Sequence, residues 1–380
     1  EAIVERVPAL QNFNGSDFSV RLPLAAGLLD RLNAFDAHII HAHHPFLLGD
    51  TALRIGAEKN APVIFTHHTR YEDYTHYVPF DSPVLKDFAI TLSTEFANLC
   101  DGVIAPSESI EQLIRSRGVT SPTKVVPTGI DLAAFARGRG DRARRKFHLA
   151  PAAFVVGHVG RLAPEKNLGF LTAAVAQFLS RTPGAVFLVV GGGPSEAQVK
   201  ESCERAGVGD RLVLAGKLTG RPLYDAYAAM DVFAFASFSE TQGMVLAEAM
   251  AASLPVVALD ANGVREVVRH ERNGCLLPAD ASADVFAQHL ARLHSAPKRR
   301  AAFARAALQT AQLFSREHCA RLALDFYAEI RRATRRERLV NELSPWSTLL
   351  NRLEVEWNLL ASTANAVLDA MRSERETAAP

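Results

Sequence analysis

Cysteine is scarce in this chain: Cys100, Cys203, Cys275 and Cys319 are the four in 380 residues, far apart and with no CxxC pair. That scarcity excludes a disulfide framework and a cysteine zinc site, and it fits a reducing, cytoplasmic setting. No apolar run approaches the roughly 18 residues a membrane-spanning helix requires, and no signal-peptide pattern precedes the first domain. Any membrane contact is therefore expected to be peripheral. Net charge is almost absent, with 42 Lys and Arg against 41 Asp and Glu, so the whole-chain balance gives no reason to expect nucleic acid as a partner. Internal repeats and low-complexity segments are lacking too. The chain begins at Glu1 without a Met, which reads as processing or as a missing start.

What is present is enough apolar sequence, 48% of the chain, for two domains, since one core seldom grows past roughly 250 residues. Short β-branched runs ending in Gly, Pro or Ser alternate with longer helical patterns, the signature of βαβ units and parallel sheets. A first set of expected strands is Ala37–His43, Pro62–His67, Gly102–Pro106 and Lys124–Pro127. A second is Phe154–Gly160, Ala185–Val190, Arg211–Ala215, Asp231–Ala236 and Pro255–Leu259, with Gly274–Leu277 a short sixth. Between them the polar stretch from Gly129 to Ala150, with its GRGDRARR run, suits a linker. The first set has four strands where a full doubly wound unit has about six, so the first domain reads as truncated at its start. Residues 281–333 read as helices, and 334–364 as further helix broken at Ser344-Pro345, with Leu349, Leu353, Trp357 and Leu360 at helical spacing.

The chemistry begins at DVFAFASFSE, Asp231–Glu240, followed by TQGMVLAEAM: a buried strand, a polar loop, and a helix opening near Gly243. Such an opening presents unpaired N–H groups and the positive end of a helix dipole, an anion site suited to phosphate. Within a single helix Glu240 and Glu248 would be separated by about 80° and roughly 12 Å, too far to act as a pair. They read instead as a loop carboxylate and a helix carboxylate flanking one opening, where each can accept from vicinal hydroxyls. The plainer alternative is acidic residues drawn to the first turns of a helix by its dipole.

After the strand Phe154–Gly160, the loop GRLAPEKN supplies Gly160 for a tight exit and Arg161 and Lys166 as two cations at the sheet's carboxyl edge. Two such cations can hold a diphosphate with no metal needed; the plainer alternative is a solvated surface pair. Gly191–Gly193, at the next strand's end, reads as a turn. His41, His43, His44, His67 and His68 fall at neighbouring strand ends, yet no carboxylate sits at a ligand spacing among them and adjacent strand residues point to opposite faces, so no metal site is expected. Tyr71, Tyr74 and Tyr77 recur at every third residue, a face that meets an acyl chain or packs on the domain. The neutral total also hides an asymmetry: Arg292–Arg338 holds twelve Lys or Arg against four Asp or Glu. That stretch reads either as a surface for anionic lipid headgroups, each cation worth on the order of 1 kcal/mol, or as the solvated face of terminal helices.

Taken in order across Phe154–Pro278, the GRLAPEKN loop, the GGGP strand end, the Gly216-Lys217 turn and SFSETQGMVLAEAM with its Glu-x7-Glu resemble the retaining GT-B glycosyltransferases of the family-4 type. The resemblance implies an α/β protein of two Rossmann-like doubly wound domains facing across a cleft, with a helical C-terminal extension. Residues 1–131 would form the acceptor-side domain, 132–152 the linker, 153–315 the donor domain, 316–335 a helix crossing back to the first domain, and 336–380 a helical tail. It further implies that Arg161 and Lys166 hold the donor diphosphate and that backbone at Gly243, Met244 and Val245 caps phosphate and sugar. Backbone around Lys217 and Leu218 would face the base, and Glu248 would bind the ribose. Glu240, beside the donor sugar's hydroxyls, and His68, contacting the same sugar, would carry catalysis.

The run YEDYTHY resembles the diacylglycerol glucosyltransferases within that family, which places Tyr71, Tyr74 and His43 on the acceptor side. The expected reaction is hexose transfer with retention from a nucleotide-sugar, UDP-glucose first and a guanosine-linked mannose next, to an acceptor such as a membrane lipid. Neither metal nor cofactor is expected, and the protein would sit in the cytoplasm or peripherally on the membrane's inner face. Two competing expectations stand beside it: a nucleotide-sugar epimerase, and a non-catalytic sugar-nucleotide-binding or scaffold protein. The second follows from the start of the chain, because the family's first strand ends in a glycine-rich loop near the donor phosphate and nothing in Glu1–Arg21 matches it.

Overall fold

The structure is a computed structural model and describes residues 4, 9–10, 20–21, 32, 34–73, 82–238, 240–341, 353–363 and 365–366. The chain divides into two compact units, one of Glu1–Val126 with Leu322–Pro380 and one of Pro127–Arg321.

The first unit holds a short antiparallel pair, β1 (Ala9–Leu10) with β2 (Val20–Arg21), and a four-stranded parallel sheet. That sheet runs in chain order through β3 (Ile40–Ala42), β4 (Val63–Thr66), β5 (Gly102–Ala105) and β6 (Thr123–Val125). Its crossover helices start where small hydroxyl residues can cap them. Ser82 Oγ accepts from the Leu85 N–H at 3.2 Å, with Pro83 in the first helical position, and Ser107 Oγ accepts from Ile110 at 3.3 Å. One sheet face packs Phe65 and Val103 on Phe96, Ile110 and Ile114. On the other, Ile64 and Ile104 meet Phe326 and Ile330 of the long helix Arg316–Asn341. Gly102 makes that approach possible, since a methyl group there would lie 2.9 Å from the Phe326 ring. Burying each such side chain is worth about 1.5–3 kcal/mol, which ties the helix to the sheet. A helix at 353–363 adds Val355 and Leu359 to the first face, and Arg54 grips Glu356 in a two-pronged pair at 2.6 and 3.1 Å. Its Leu353, Trp357 and Leu360 are exposed. The break expected at Ser344-Pro345 lies outside the described residues, as does Leu349.

The second unit is a six-stranded parallel sheet in the order β12-β11-β10-β7-β8-β9. Its strands are β7 (Phe154–Val159), β8 (Ala185–Val190), β9 (Leu212–Leu214), β10 (Val232–Phe235), β11 (Val256–Leu259) and β12 (Gly274–Leu277). From β7 the chain adds β8 and β9 on one side, then returns to place β10 beside β7 and adds β11 and β12 on the other. The crevice at the carboxyl ends of β7 and β10 is thus the topological switch point, where open α/β sheets bind ligands. Strands buried on both faces are the hallmark of such a sheet, and every residue of β7, β10 and β11 is buried.

Residues 132–152, read above as a linker, carry two helices, Leu132–Ala136 and Gly140–Lys146, that belong to the second unit. They lie against the helix Arg221–Ala229 so closely that a methyl on Gly138 would come within 2.4 Å of the Tyr224 carbonyl. Buried Asp225 accepts from the Arg139 N–H at 2.7 Å. Several cations of the basic stretch have structural partners. Arg299 pairs with Glu271, Arg316 with Asp131 at 3.3 Å, and Arg300 donates to the Leu293 carbonyl at 2.8 Å beneath the Phe154 ring.

Candidate functional site

Three loops at the carboxyl edge of the second sheet are sewn together through backbone. Gly160 N–H donates to Val190 O at 3.0 Å, Leu162 N–H to Gly192 O at 3.1 Å, Gly191 N–H to Gly216 O at 2.9 Å and Ser195 N–H to Leu162 O at 2.9 Å. The triple glycine is therefore more than a turn. At Gly191 φ is 145°, and a methyl there would lie 1.8 Å from Gly160 O; one on Gly193 would lie 2.4 Å from Leu162 O. Only glycine allows these backbones to touch. Lys217 lays its aliphatic stem over Gly192, and Leu218 packs partly buried against the core beneath.

On the loop after β7, Arg161 pairs with Glu165 at 3.8 Å, and Lys166 Nζ meets Glu240 Oε1 at 2.7 Å. Lys166 and Glu240 stand 74 residues apart in the chain yet form a partly buried ion pair. Two further bonds clamp the same two loops: Asn167, at φ 51°, donates from Nδ2 to Ala236 O at 3.3 Å, and Ser237 Oγ donates to Glu165 O at 3.3 Å. The switch point thus carries two cations and a carboxylate on interlocked loops.

The helix Met244–Ala251 opens beside them. Gly243 caps it in the left-handed region at φ 65°, where a methyl would lie 2.9 Å from Gly263 O, and as a glycine it brings no side chain to the first turn at Met244 and Val245. Uncapped N–H groups there are disposed to receive an anion. Just upstream, buried Gln242 holds the Thr128 peptide at both ends, Oε1 accepting from its N–H at 2.8 Å and Nε2 donating to its carbonyl at 3.2 Å. Glu248 follows one turn into the helix, and its Oε2 accepts from the Tyr227 hydroxyl at 2.7 Å. Burial raises the Glu248 carboxyl above its usual range, against the lowering effect of that bond, and the same burial together with the carboxylate raises the Tyr227 hydroxyl well above its own. Glu240 and Glu248 thus have separate partners, a cation and a phenol, in place of a shared proton.

In the first unit the strand-end histidines form a connected cluster. His41 bonds to Tyr327 Oη at 2.5 Å through Nδ1 and to Thr66 Oγ1 at 2.6 Å through Nε2. Its ring lies 4.1 Å from that of His43, and His43 Nδ1 meets His68 Nε2 at 2.8 Å. Burial and the neighbouring histidines push His41 down to about 3 and His68 to about 4, so the cluster is held neutral. Tyr71 stacks edge-on with His44, Phe46 and His67 in a single 3-10 turn at 71–73. Tyr74 and Tyr77 lie outside the described residues. Among the described residues no group of three or more His, Cys, Asp or Glu is arranged to hold a metal ion.

Arg161, Lys166, Lys217, Leu218, Glu240, Gly243, Met244, Val245 and Glu248 all fall on the second unit, and Lys166 and Glu240 are in direct contact. His43, His68 and Tyr71 fall on the first, where His43 and His68 are in direct contact. Sequence reasoning passed over Tyr227, which holds Glu248, and Gln242, which fixes the approach to Gly243. It also passed over His158, a buried β7 side chain whose Nδ1 lies 3.1 Å from Ala234 O. Its one visible signal is a polar residue inside an otherwise apolar strand.

Residues 141–310 match the family model described as glycosyl transferases group 1, and residues 1–134 match that described as glycosyltransferase family 4. The chain is 30% identical over 258 residues to the alpha-monoglucosyldiacylglycerol synthase of Streptococcus pneumoniae, a match covering 67% of this chain and 58% of that relative. It is 31% identical over 312 residues to the D-inositol 3-phosphate glycosyltransferase of Actinosynnema mirum, covering 79% of this chain and 74% of the relative. Among solved structures it resembles Anabaena HepE, determined in complex with UDP, with a TM-score of 0.66 and 24% identity over 80% of this chain and 81% of that one. The last likeness is one of fold.

Proposed function

The chain belongs to glycosyl transferases group 1 and has the GT-B fold, and on that footing we propose that it transfers a hexose from a nucleotide-sugar to an acceptor with retention of anomeric configuration. The observation that carries the reading is the Lys166–Glu240 pair, set at the switch point beside Arg161 and the uncapped helix start at Gly243. A diphosphate at that spot meets two cations and the N–H groups of Met244 and Val245, which neutralise it without a metal. Glu248 receives the ribose: its Oε2 is already held by Tyr227, and among the described residues no hydrogen bond reaches Oε1, which is left for a hydroxyl. Glu240, kept in place by Lys166, accepts from hydroxyls of the donor sugar.

Retention follows if the departing diphosphate, held by Arg161 and Lys166, assists the acceptor's attack on the face it leaves. Stabilising charge that develops on the leaving group is the largest contribution such a site can make. Within the first unit, His68, neutral and bonded to His43, is the residue offered for contact with a sugar, and Tyr71 the one offered to the acceptor.

UDP-glucose is the first donor to test and a membrane diacylglycerol the first acceptor, supported by the name of the pneumococcal relative and by the YEDYTHY run. No helix among the described residues is long and apolar enough to cross a membrane. Incubation with UDP-glucose and diacylglycerol vesicles, followed by proton NMR of the product's anomeric signal, tests the reading. An α-linked product, lost in Glu240→Ala, is expected. Donor isomerised without acceptor would identify an epimerase, and tight donor binding with no turnover would identify a sugar-nucleotide-binding protein.

A further inference from the structure

His158 sits at the switch point itself. The β7–β10 ladder pairs Val156 with Val232 and Gly157 with Phe233, and at the next position the imidazole Nδ1 takes the Ala234 carbonyl at 3.1 Å. A carbonyl only accepts, so Nδ1 carries the ring's proton and Nε2 presents a lone pair. The residue is 1% exposed, its ring stacks beside Phe233 and Phe235, and Nε2 has no hydrogen-bond partner among the described residues. Nε2 points at the glycine of the GRL loop: a methyl on Gly160 would lie 3.4 Å from it. An orphaned, fully buried acceptor is costly to a fold, and one at a ligand-binding edge is a candidate for completion by a ligand or a proton.

The charged group that acts on the ring is Lys166, ion-paired with Glu240 on the loop that follows, where Arg161 pairs with Glu165; Phe233, Ala234 and Phe235 of β10 carry no charge. Burial first, and the field of Lys166 with it, keep His158 neutral, down to about 4. An arriving diphosphate reverses that balance by setting two negative charges against Lys166 and the Gly160 backbone.

We propose that His158 is a donor-binding residue whose Nε2 takes up one proton from solvent when a nucleotide-sugar binds, the resulting imidazolium facing the diphosphate across Gly160. This rests on the donor-site reading given above and deepens it, assigning part of the charge neutralisation to a residue that is uncharged while the site is free. It predicts that donor affinity rises as pH falls, towards tenfold per pH unit, over a range where the ligand itself does not titrate. The diphosphate of a nucleotide-sugar is a diester and has no protonation step near neutrality, unlike the terminal phosphate of a free nucleotide.

The test is isothermal titration with UDP-glucose and GDP-mannose at about pH 6 and about pH 8, each in two buffers of different ionisation enthalpy, which counts the protons taken up. Wild-type protein is expected to take up close to one proton at the lower pH, where the free ring is still neutral, and His158→Gln to take up none and to bind with a flatter pH dependence. Histidine-selective nitrogen NMR of the wild type provides a readout that needs no variant: the His158 Nε2 signal should move from the lone-pair to the protonated position on saturation. Uptake unchanged in His158→Gln, or an Nε2 that stays unprotonated in the saturated protein, overturns the proposal while leaving the donor site standing. Failure of either nucleotide-sugar to bind wild-type protein overturns both.

Discussion

Lys166 and Glu240 meet at 2.7 Å across the sheet's switch point, and in that contact the ammonium that would hold a leaving diphosphate also fixes the carboxylate that would read the donor sugar. The pair is partly buried, with 15% and 14% of the two side chains exposed, so breaking it leaves one charge poorly solvated. Lys166→Met should weaken UDP binding at least tenfold, which is about 1.4 kcal/mol, and Glu240→Gln should spare UDP binding while stopping transfer. Titration of UDP into both variants, alongside a transfer assay, checks this. UDP affinity unchanged in Lys166→Met would remove Lys166 from the diphosphate site.

Tyr227, a buried side chain, gives Glu248 the one side-chain hydrogen bond it has among the described residues, so Tyr227→Phe removes that donor. The expected loss is about 1–2 kcal/mol in nucleotide affinity, as for a hydrogen bond to a charged group. The carboxyl, already raised by burial, should rise further, so the loss should grow as pH falls and protonation removes the acceptor. UDP titrations at several pH values in wild type and variant measure it. A variant with wild-type affinity would show that Glu248 does not bind the ribose.

Gly191→Ala drives a methyl to 1.8 Å from Gly160 O at a left-handed φ of 145°, and should cost about 3 kcal/mol or more along with nucleotide binding. Gly207→Ala, at φ 69° with nothing within 4 Å, bears only the conformational strain and should cost about 1 kcal/mol. Urea unfolding of the two variants side by side separates loop-to-loop contact from backbone preference.

How much of this was legible beforehand follows from what each signal depends on. The ten strands of the two parallel sheets were visible because continuous β-branched runs and glycine exits are local, and Ala185–Val190 and Gly274–Leu277 were placed to the residue. The cations and carboxylates stood out because each falls in a compact local run, GRLAPEKN and SETQGMVLAE, at the end of an apolar strand. Tyr227, Gln242 and His158 did not, because their importance lies in partners 21, 114 and 76 residues away. The polar stretch after Gly129 read as a linker because arginines suggest solvent, whereas Arg144 is tied to Asp231 at 3.0 Å and to the Ala229 carbonyl at 2.9 Å.

Histidine burial makes stability depend on pH in a defined direction. His41 is held near 3, and His67, His68 and His158 near 4, all below the unperturbed 6.5. The unfolded chain then binds more protons than the folded one below pH 6.5, so this stability is complete above that value and lost as pH falls towards 4. For buried His67 alone the slope approaches about 1.4 kcal/mol per pH unit. Chemical unfolding at half-unit pH steps should show the decline, flatter in His67→Gln. A stability that does not fall below pH 6.5 would mean these rings are charged in the folded protein.

The central claim is that the second unit's switch point binds a nucleotide-sugar through its diphosphate. A thermal-shift panel of uridine and guanosine diphosphates and their hexose conjugates, run on wild type, Arg161→Ala and Lys166→Ala, tests it most directly, because a ligand that binds the folded state raises the midpoint by an amount that grows with the logarithm of its concentration over Kd. One nucleotide family should raise the wild-type midpoint by several degrees and leave both variants nearly unmoved. A panel that shifts nothing, or that shifts the variants as far as the wild type, would contradict it.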